Sequence, residues 1–596
     1  MVAVVSGYCG AGAAVKDNVV IESMTDVYRL LPTKDGNAVE KVQHESQMVF
    51  RANRVADTGQ ALAYYSDDVK IDKASGGSVV YGQFMGEDIF FSDSRGCLIS
   101  VPLKGAGARG KASYKRTFTK PEFFCKVLLA EPYEVERAEI TFEIPAGLES
   151  RYRIKELNIP AEMMQVSEER KGNVVRKTYV FNDVKRYKVH SDAPSVNVTA
   201  PQLLILGHFA DEHDVYRYVR GYTLDPDPDA GAVERMAREL TADCATEAAK
   251  IDAVNDFVHR SIRYVAVEHG ELGHRPDAPS EVLRKRYGDC KGSAALMRAL
   301  LRSAGVDARL AWVGTTSVES DWTDVPNVSS GNHLITAVMT GDSILYLDGT
   351  ATNHPVGLVP QGIHGAQALI EDGDERCIVG RLPEMTSVES RRAEEVSMEL
   401  GESGDVKVSG RIRLSGLCHA AFASANDATL PGKRAELYNR VLSGVLAGCR
   451  SEDARYEAGE RETVISGTGV VSGAVKNAGG EMYVDMNPVP ELASGKFDME
   501  ERTVPGHYGG IRSQDYKVRL KVPAGYSTGS LPKDVTVDND WISGNVSTTS
   551  ADGEVVRHVR IEVKRRDVAT EHLTRFNADL QKLVRACNAK VVLAAE

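Results

Sequence analysis

Cys290, in the stretch Arg286-Tyr-Gly-Asp-Cys-Lys-Gly292, opens a run in which Ala294, Met297, Leu300, Leu301 and Ala304 recur at helical spacing. Gly305 is placed to end that helix at its C′ position. His333 follows 43 residues later and Asp348 a further 15. A thiol in the first helical turn meets the positive end of the helix dipole, which favours the thiolate, and an imidazolium partner favours it further. Cysteine, histidine and aspartate in this order can supply a nucleophile, its base and the group that orients the base. Singly, a buried cysteine is usually an inert core residue, and a histidine or aspartate at a strand end is usually a surface or capping group. Their joint arrangement is what points to chemistry.

The elements around them must bring the three together. His333-Leu-Ile-Thr-Ala-Val-Met-Thr-Gly-Asp-Ser-Ile-Leu-Tyr-Leu-Asp348 reads as a β-hairpin turning near Gly341-Asp342. A two-residue turn at 341–342, or a four-residue one at 340–343, sets Asp348 opposite Ile335. His333 shares a face with Ile335, because strand side chains alternate. A three-residue loop would put histidine and aspartate on opposite faces, so the site depends on turn length.

Ser261-Ile-Arg-Tyr-Val265, Gly273-His-Arg-Pro276, Tyr287-Gly-Asp-Cys-Lys291, Asn332-His333 and Tyr346-Leu-Asp-Gly-Thr350 resemble the transglutaminase-like superfamily, whose core is related to papain-like proteases. More narrowly, the chain looks like a bacterial multidomain group in which a β-rich domain of unknown function precedes that core. The resemblance is strong over 235–375 and weaker on either side. It implies an α+β fold with a papain-like transglutaminase core, and a catalytic triad of Cys290, His333 and Asp348. Two positions depart from the pattern: Gly292 stands where relatives often carry an acid, and Arg275 where many carry glutamine. A side-chain donor for the oxyanion hole is thus unassigned, and the backbone N–H of Cys290 is the candidate, because helix-start amides are unpaired.

The remainder of the chain sets the frame. Its 596 residues suggest about four domains on length alone, and 42% hydrophobic with 26% charged residues is ordinary for globular chains. A net charge of −12 argues against nucleic-acid or anionic-membrane partners. The short runs Lys564-Arg-Arg566 and Arg391-Arg392 read as solvated surface. Nine cysteines without a Cys-x-x-Cys pair argue against a zinc ribbon and a disulfide framework. Residues 1–15 read equally as the tail of a signal segment or as a disordered end. No stretch elsewhere approaches the ~18 apolar residues of a membrane span.

Residues 16–220 read as a β-rich, sandwich-like domain, 232–380 as the catalytic core and 381–596 as a second β-rich domain with helices. The acidic, proline-rich joint Asp225–Gly231 separates the first two. Helices are expected near 232–248, 249–264 and 432–448. A last helix carries Leu573, Phe576, Leu580, Leu583, Val584 and Cys587 as an amphipathic docking stripe. The segment Thr315–Ser330, with Trp322, precedes the histidine and reads as a plain surface excursion, with a loop overhanging the cleft as the alternative.

The functional expectation is cysteine-dependent acyl transfer on amide bonds of a protein or peptide substrate through a thioester, with no cofactor and no metal. Hydrolysis, as by a protease or amidase, is favoured over protein crosslinking, since no acidic loop resembles a regulatory calcium site. The alternative is a catalytically silent protein- or glycan-binding scaffold. Export to a periplasmic or other extracytoplasmic space is expected, with a cytoplasmic location as the alternative.

Overall fold

A computed structural model describes residues 18–83, 90–268, 273–319, 321–401, 405–459 and 461–596. The ambiguous segment 1–15 lies outside the described residues. The chain is a mixed fold, 23% helical and 43% strand. Two compact units emerge. One runs through Val189 and adds Ser195–Thr350 and Ala366–Leu382; the other comprises His190–Pro194, Ala351–Gly365 and Pro383–Glu596. Among the described residues no helix is long and apolar enough to cross a membrane.

The first unit begins with strands whose side chains alternate between buried and wet, as in Val39–Ala52. Val19–Pro32 pairs antiparallel with Val39–Ala52 and parallel with Val135–Pro145, inside a seven-stranded sheet. A three-stranded sheet of Asp57–Tyr65, Arg95–Leu103 and Ser78–Gly82 shares its core, where Tyr28, Phe50 and Phe142 meet Ala61, Cys97 and Ile99. Met164–Lys171 and Val174–Val184 are joined by a turn with Gly172 at φ +61°.

The acidic joint is tied down. Asp227 accepts from the Ser280 N–H and hydroxyl, and Asp229 caps the helix Ala230–Thr241. Helix α1 (Glu247–Ser261) is capped by Thr246 and buries Ile251, Val254 and Val258. It ends three residues short of the expected 264, because Arg263–Tyr264 leaves the helix to pair in parallel with Tyr287–Gly288. That short ladder fixes the chain immediately before helix α2 (Cys290–Ser303).

Helix α2 packs on a five-stranded antiparallel sheet. Its strands are β1 (Ala308–Val313), β2 (His333–Thr340), β3 (Ser343–Leu347), β4 (Gln367–Asp372) and β5 (Arg376–Arg381), in the order β3-β2-β1-β4-β5. Gly305 follows α2 at φ +83°, the left-handed turn that ends the helix.

The second unit holds a large sheet around Ser390–Leu400, Val406–Gly416, Arg512–Lys521 and Glu554–Val563. Two helices, Leu417–Ala428 and Arg434–Ser443, stand where one was expected. The first was hidden because its residues are mostly small, and the second stops at Gly444 rather than 448. Helix α3 (Leu573–Asn588) buries its whole apolar stripe. Phe576 packs against Phe497 and Tyr508 with ring centroids 5.1 and 4.8 Å away. Phe576→Ala is therefore expected to lower stability by about 3–5 kcal/mol, read as a shift in the urea midpoint. A negligible shift would show that this face of α3 is not core.

Candidate active site

Cys290 occupies the first position of α2, and Asp289 is the N-cap. One carboxylate oxygen of Asp289 accepts from the Gly292 N–H at 3.0 Å, and the other accepts from the Lys291 ammonium. A side chain at 292 would place its Cβ 3.1 Å from Val282, tighter than ordinary contact. The helix start is thus packed closely on Pro279–Lys285, which leaves little room for a side chain at 292.

The hairpin pairs Thr340 with Ser343 and Thr336 with Leu347, around Gly341 at φ +61°. This is the two-residue turn that keeps His333 and Asp348 on one face. His333 Nε2 lies 2.8 Å from Asp348 Oδ2. The second oxygen, Oδ1, accepts from the Thr350 N–H at 2.9 Å and hydroxyl at 2.7 Å. Asp348 is only 4% exposed. Burial works against its charge, yet the His333 charge and these hydrogen bonds outweigh it and hold the carboxyl down at about 2. Burial likewise opposes a charged His333. Asp348 and a hydrogen bond with Cys290 overcome it, so the ring's pKa stands well above the usual imidazole value. With Nε2 on the aspartate, Nδ1 is the nitrogen left for the sulfur.

A further layer holds Asp348. His259 Nε2 on α1 lies 2.9 Å from the Asp348 carbonyl, and Asn255 Nδ2 lies 3.4 Å from the other ring nitrogen. Donation from Asn255 leaves that nitrogen as acceptor and Nε2 as the donor to the carbonyl. Gly349 presses on α2: a Cβ there would sit 2.9 Å from Ser293 Cβ.

Cys290 and His333 open onto a narrow cleft of about 60 Å³, whose other walls include Tyr222, His274, Trp312, Trp322 and Leu334. Sequence reasoning named none of these as site residues. Trp322 is 1% exposed, and its ring lies so close to Gly331 that a Cβ there would meet it at 2.4 Å. The 315–330 segment is therefore folded into the cleft wall, unlike the surface excursion read from its sequence. Its start is pinned by Asn332, which bonds the Thr315 N–H and hydroxyl at 2.8 Å each and the Ser317 hydroxyl at 3.0 Å. The Asn-His pair in the sequence was the one signal pointing here. Arg275 turns away to Asp225, 3.0 Å distant.

Much of this site falls in a segment of known class: residues 234–344, which include Cys290 and His333 and end before Asp348, match the transglutaminase-like superfamily, so the chain carries a transglutaminase-like core. Residues 480–593 match the domain of unknown function DUF3858. Among solved structures, a "putative protease" from Parabacteroides distasonis shares the fold over 97% of this chain and 99% of its own, at a TM-score of 0.62 and 11% identity. A "putative cysteine protease" from Cytophaga hutchinsonii aligns over 52% of this chain and 77% of its own, at 10% identity; its TM-score of 0.17 is too low to carry a comparison. No curated protein matches the chain in sequence.

The His333–Asp348 pair makes stability depend on pH in two windows. Asp348, depressed in the fold, contributes fully above its unfolded value of about 3.9, and that contribution is lost as pH falls through about 2. His333, raised in the fold, contributes fully below about 6.5, and its contribution is lost as pH rises through the higher folded value. The stability gap between wild type and Asp348→Asn should be widest between about pH 4 and 6.5 and narrow on both sides. Urea unfolding across pH measures it, and a gap independent of pH would rule out the ion pair.

Proposed function

We propose that this protein is a cysteine enzyme that transfers the acyl group of an amide through a thioester, with Cys290 as nucleophile, His333 as acid–base and Asp348 as the group that orients the imidazole. The observation that carries the reading is a paired ring beside a helix-start sulfur: His333 binds Asp348 at 2.8 Å through Nε2 and lines the same cleft as Cys290, the first residue of α2. A charged imidazole beside a helix-start sulfur favours a thiolate–imidazolium pair.

The thiolate attacks the amide carbonyl carbon, and the Cys290 N–H, unpaired at the helix start, offers a donor to the developing oxyanion. Collapse breaks the C–N bond, His333 gives its proton to the leaving amine, and a thioester remains. Asp348 keeps the imidazole in one tautomer and stabilises its cation. Water then completes hydrolysis with His333 as base, which makes the protein a protease or amidase. A protein or peptide substrate is consistent with the name borne by the structural neighbour that shares the fold over the whole chain. Delivery to an amine is the competing outcome.

Iodoacetamide at mildly acidic pH should alkylate Cys290 rapidly and selectively, and His333→Ala should abolish that selectivity. Cys290→Ala should remove turnover with little change in thermal midpoint, and Asp348→Asn should cost roughly 10⁴-fold in kcat. Incubation with a peptide library and a labelled amine, read by mass spectrometry, separates cleaved from amine-linked products. Alkylation of Cys290 no faster than an ordinary thiol would instead favour a silent scaffold.

A further inference from the structure

His274 shares the cleft with Cys290 and His333, and nothing in the proposed chemistry so far uses it. Its ring is stacked on Phe123, with centroids 4.6 Å apart and planes 19° from parallel. Tyr222 lies against it at 5.4 Å, and the Tyr222 hydroxyl is held 3.2 Å from that of Tyr218. Phe123 ends a short 3-10 turn, Pro121–Phe123, that the β-rich part of the first unit extends toward the core. The ring is thus fixed in orientation, yet among the described residues its nitrogens have no hydrogen-bond partner.

Its protonation is fixed as well. Burial first, with the nearby charges of Lys291 and Lys120 adding to it, pushes the His274 pKa well below the usual imidazole value. It is therefore a neutral imidazole at any working pH, and a neutral imidazole always carries one N–H. A neutral, preoriented donor costs little reorganisation when charge develops nearby, which is what an oxyanion hole needs. Arg275, the next residue in the chain, is engaged with Asp225 at 3.0 Å.

We infer that His274 is the side-chain donor of the oxyanion hole, binding the carbonyl oxygen of the acyl group beside the Cys290 N–H. This rests on the acyl-transfer reading above. As sulfur bonds to the carbonyl carbon, the π pair moves onto oxygen and His274 donates a hydrogen bond to it, with no proton transferred. The pair returns when the leaving group departs. Binding of a carbonyl oxygen, rather than a phosphoryl or sugar group, defines the ligand class.

The test separates sulfur reactivity from oxyanion stabilisation. Iodoacetamide alkylates sulfur by displacement and forms no oxyanion; p-nitrophenyl acetate acylates it through one, forming the S–C bond and releasing p-nitrophenolate. In the full chain, His274→Phe, which keeps the ring stack, should lower the acylation burst about 100-fold while alkylation of Cys290 changes less than about twofold. His274→Gln, which restores a neutral N–H donor, should recover most of the loss. Acylation by His274→Phe at the wild-type rate would overturn the assignment, as would a wild-type ratio of acylation to alkylation no higher than that of a free thiol. Equal loss of both reactions would mean that His274 supports the fold or the ion pair, which also overturns it. Failure of the parent reading shows separately, as slow alkylation in the wild type itself.

Discussion

The hydrogen bond between His333 and Asp348 depends on the register of one hairpin. Strand side chains alternate with a period of two, so a slip of a single residue between β2 and β3 would send one of the pair to the other face. Gly341 takes φ +61° at the tip, a conformation glycine adopts without the steric cost that a Cβ brings. A two-residue turn therefore fixes where charge can sit 15 residues apart in sequence. The rest of the core acts to keep that placement rigid.

Support reaches the pair through the backbone as much as through side chains. Thr350 satisfies the second oxygen of Asp348, so the carboxylate has no freedom to rotate away from His333. The Asp348 carbonyl is held by His259 from α1, and Gly349 lets the chain pass against Ser293 on α2. One helix thus carries the sulfur at its start and, one turn on, the surface that fixes the aspartate strand. A displacement of α2 would move both ends of the constellation together. The parallel ladder Arg263–Tyr264 with Tyr287–Gly288 ties α1 to the turn before Cys290, closing the loop of contacts.

What could be read from the sequence was what obeys local rules. The helical spacing after Cys290, its stop at Gly305 and the two-residue hairpin turn depend on short-range periodicity and turn chemistry, and the structure has all three. The cleft was not legible, because its walls come from distant segments. Tyr222, His274, Trp312 and Trp322 have no mutual spacing to detect. Trp322 in particular sits among polar and turn-forming residues, which read as exposed loop. Its burial follows from the absence of a side chain at Gly331, a relation that exists only once the strands are paired. Helix Leu417–Ala428 escaped for a different reason: small residues give little apolar periodicity although they suit a helix.

The two aspartates near the sulfur illustrate how similar groups acquire different work. Asp289 is an N-cap whose second oxygen takes up the Lys291 ammonium, so a buried cation next to Cys290 is balanced by the residue on its other side. Asp348 instead faces His333 and is kept ionised by it. With Lys291 neutralised locally, the raised pKa of His333 makes its ring the cation nearest to hand for the proposed chemistry at Cys290. The positive end of α2 adds to it, since the cap satisfies the Gly292 N–H and leaves the first amide of the helix pointing outward. A neutral His274 across the cleft fits the same economy of charge: a second cation there would compete for the thiolate, whereas an uncharged ring leaves the sulfur's partner unique.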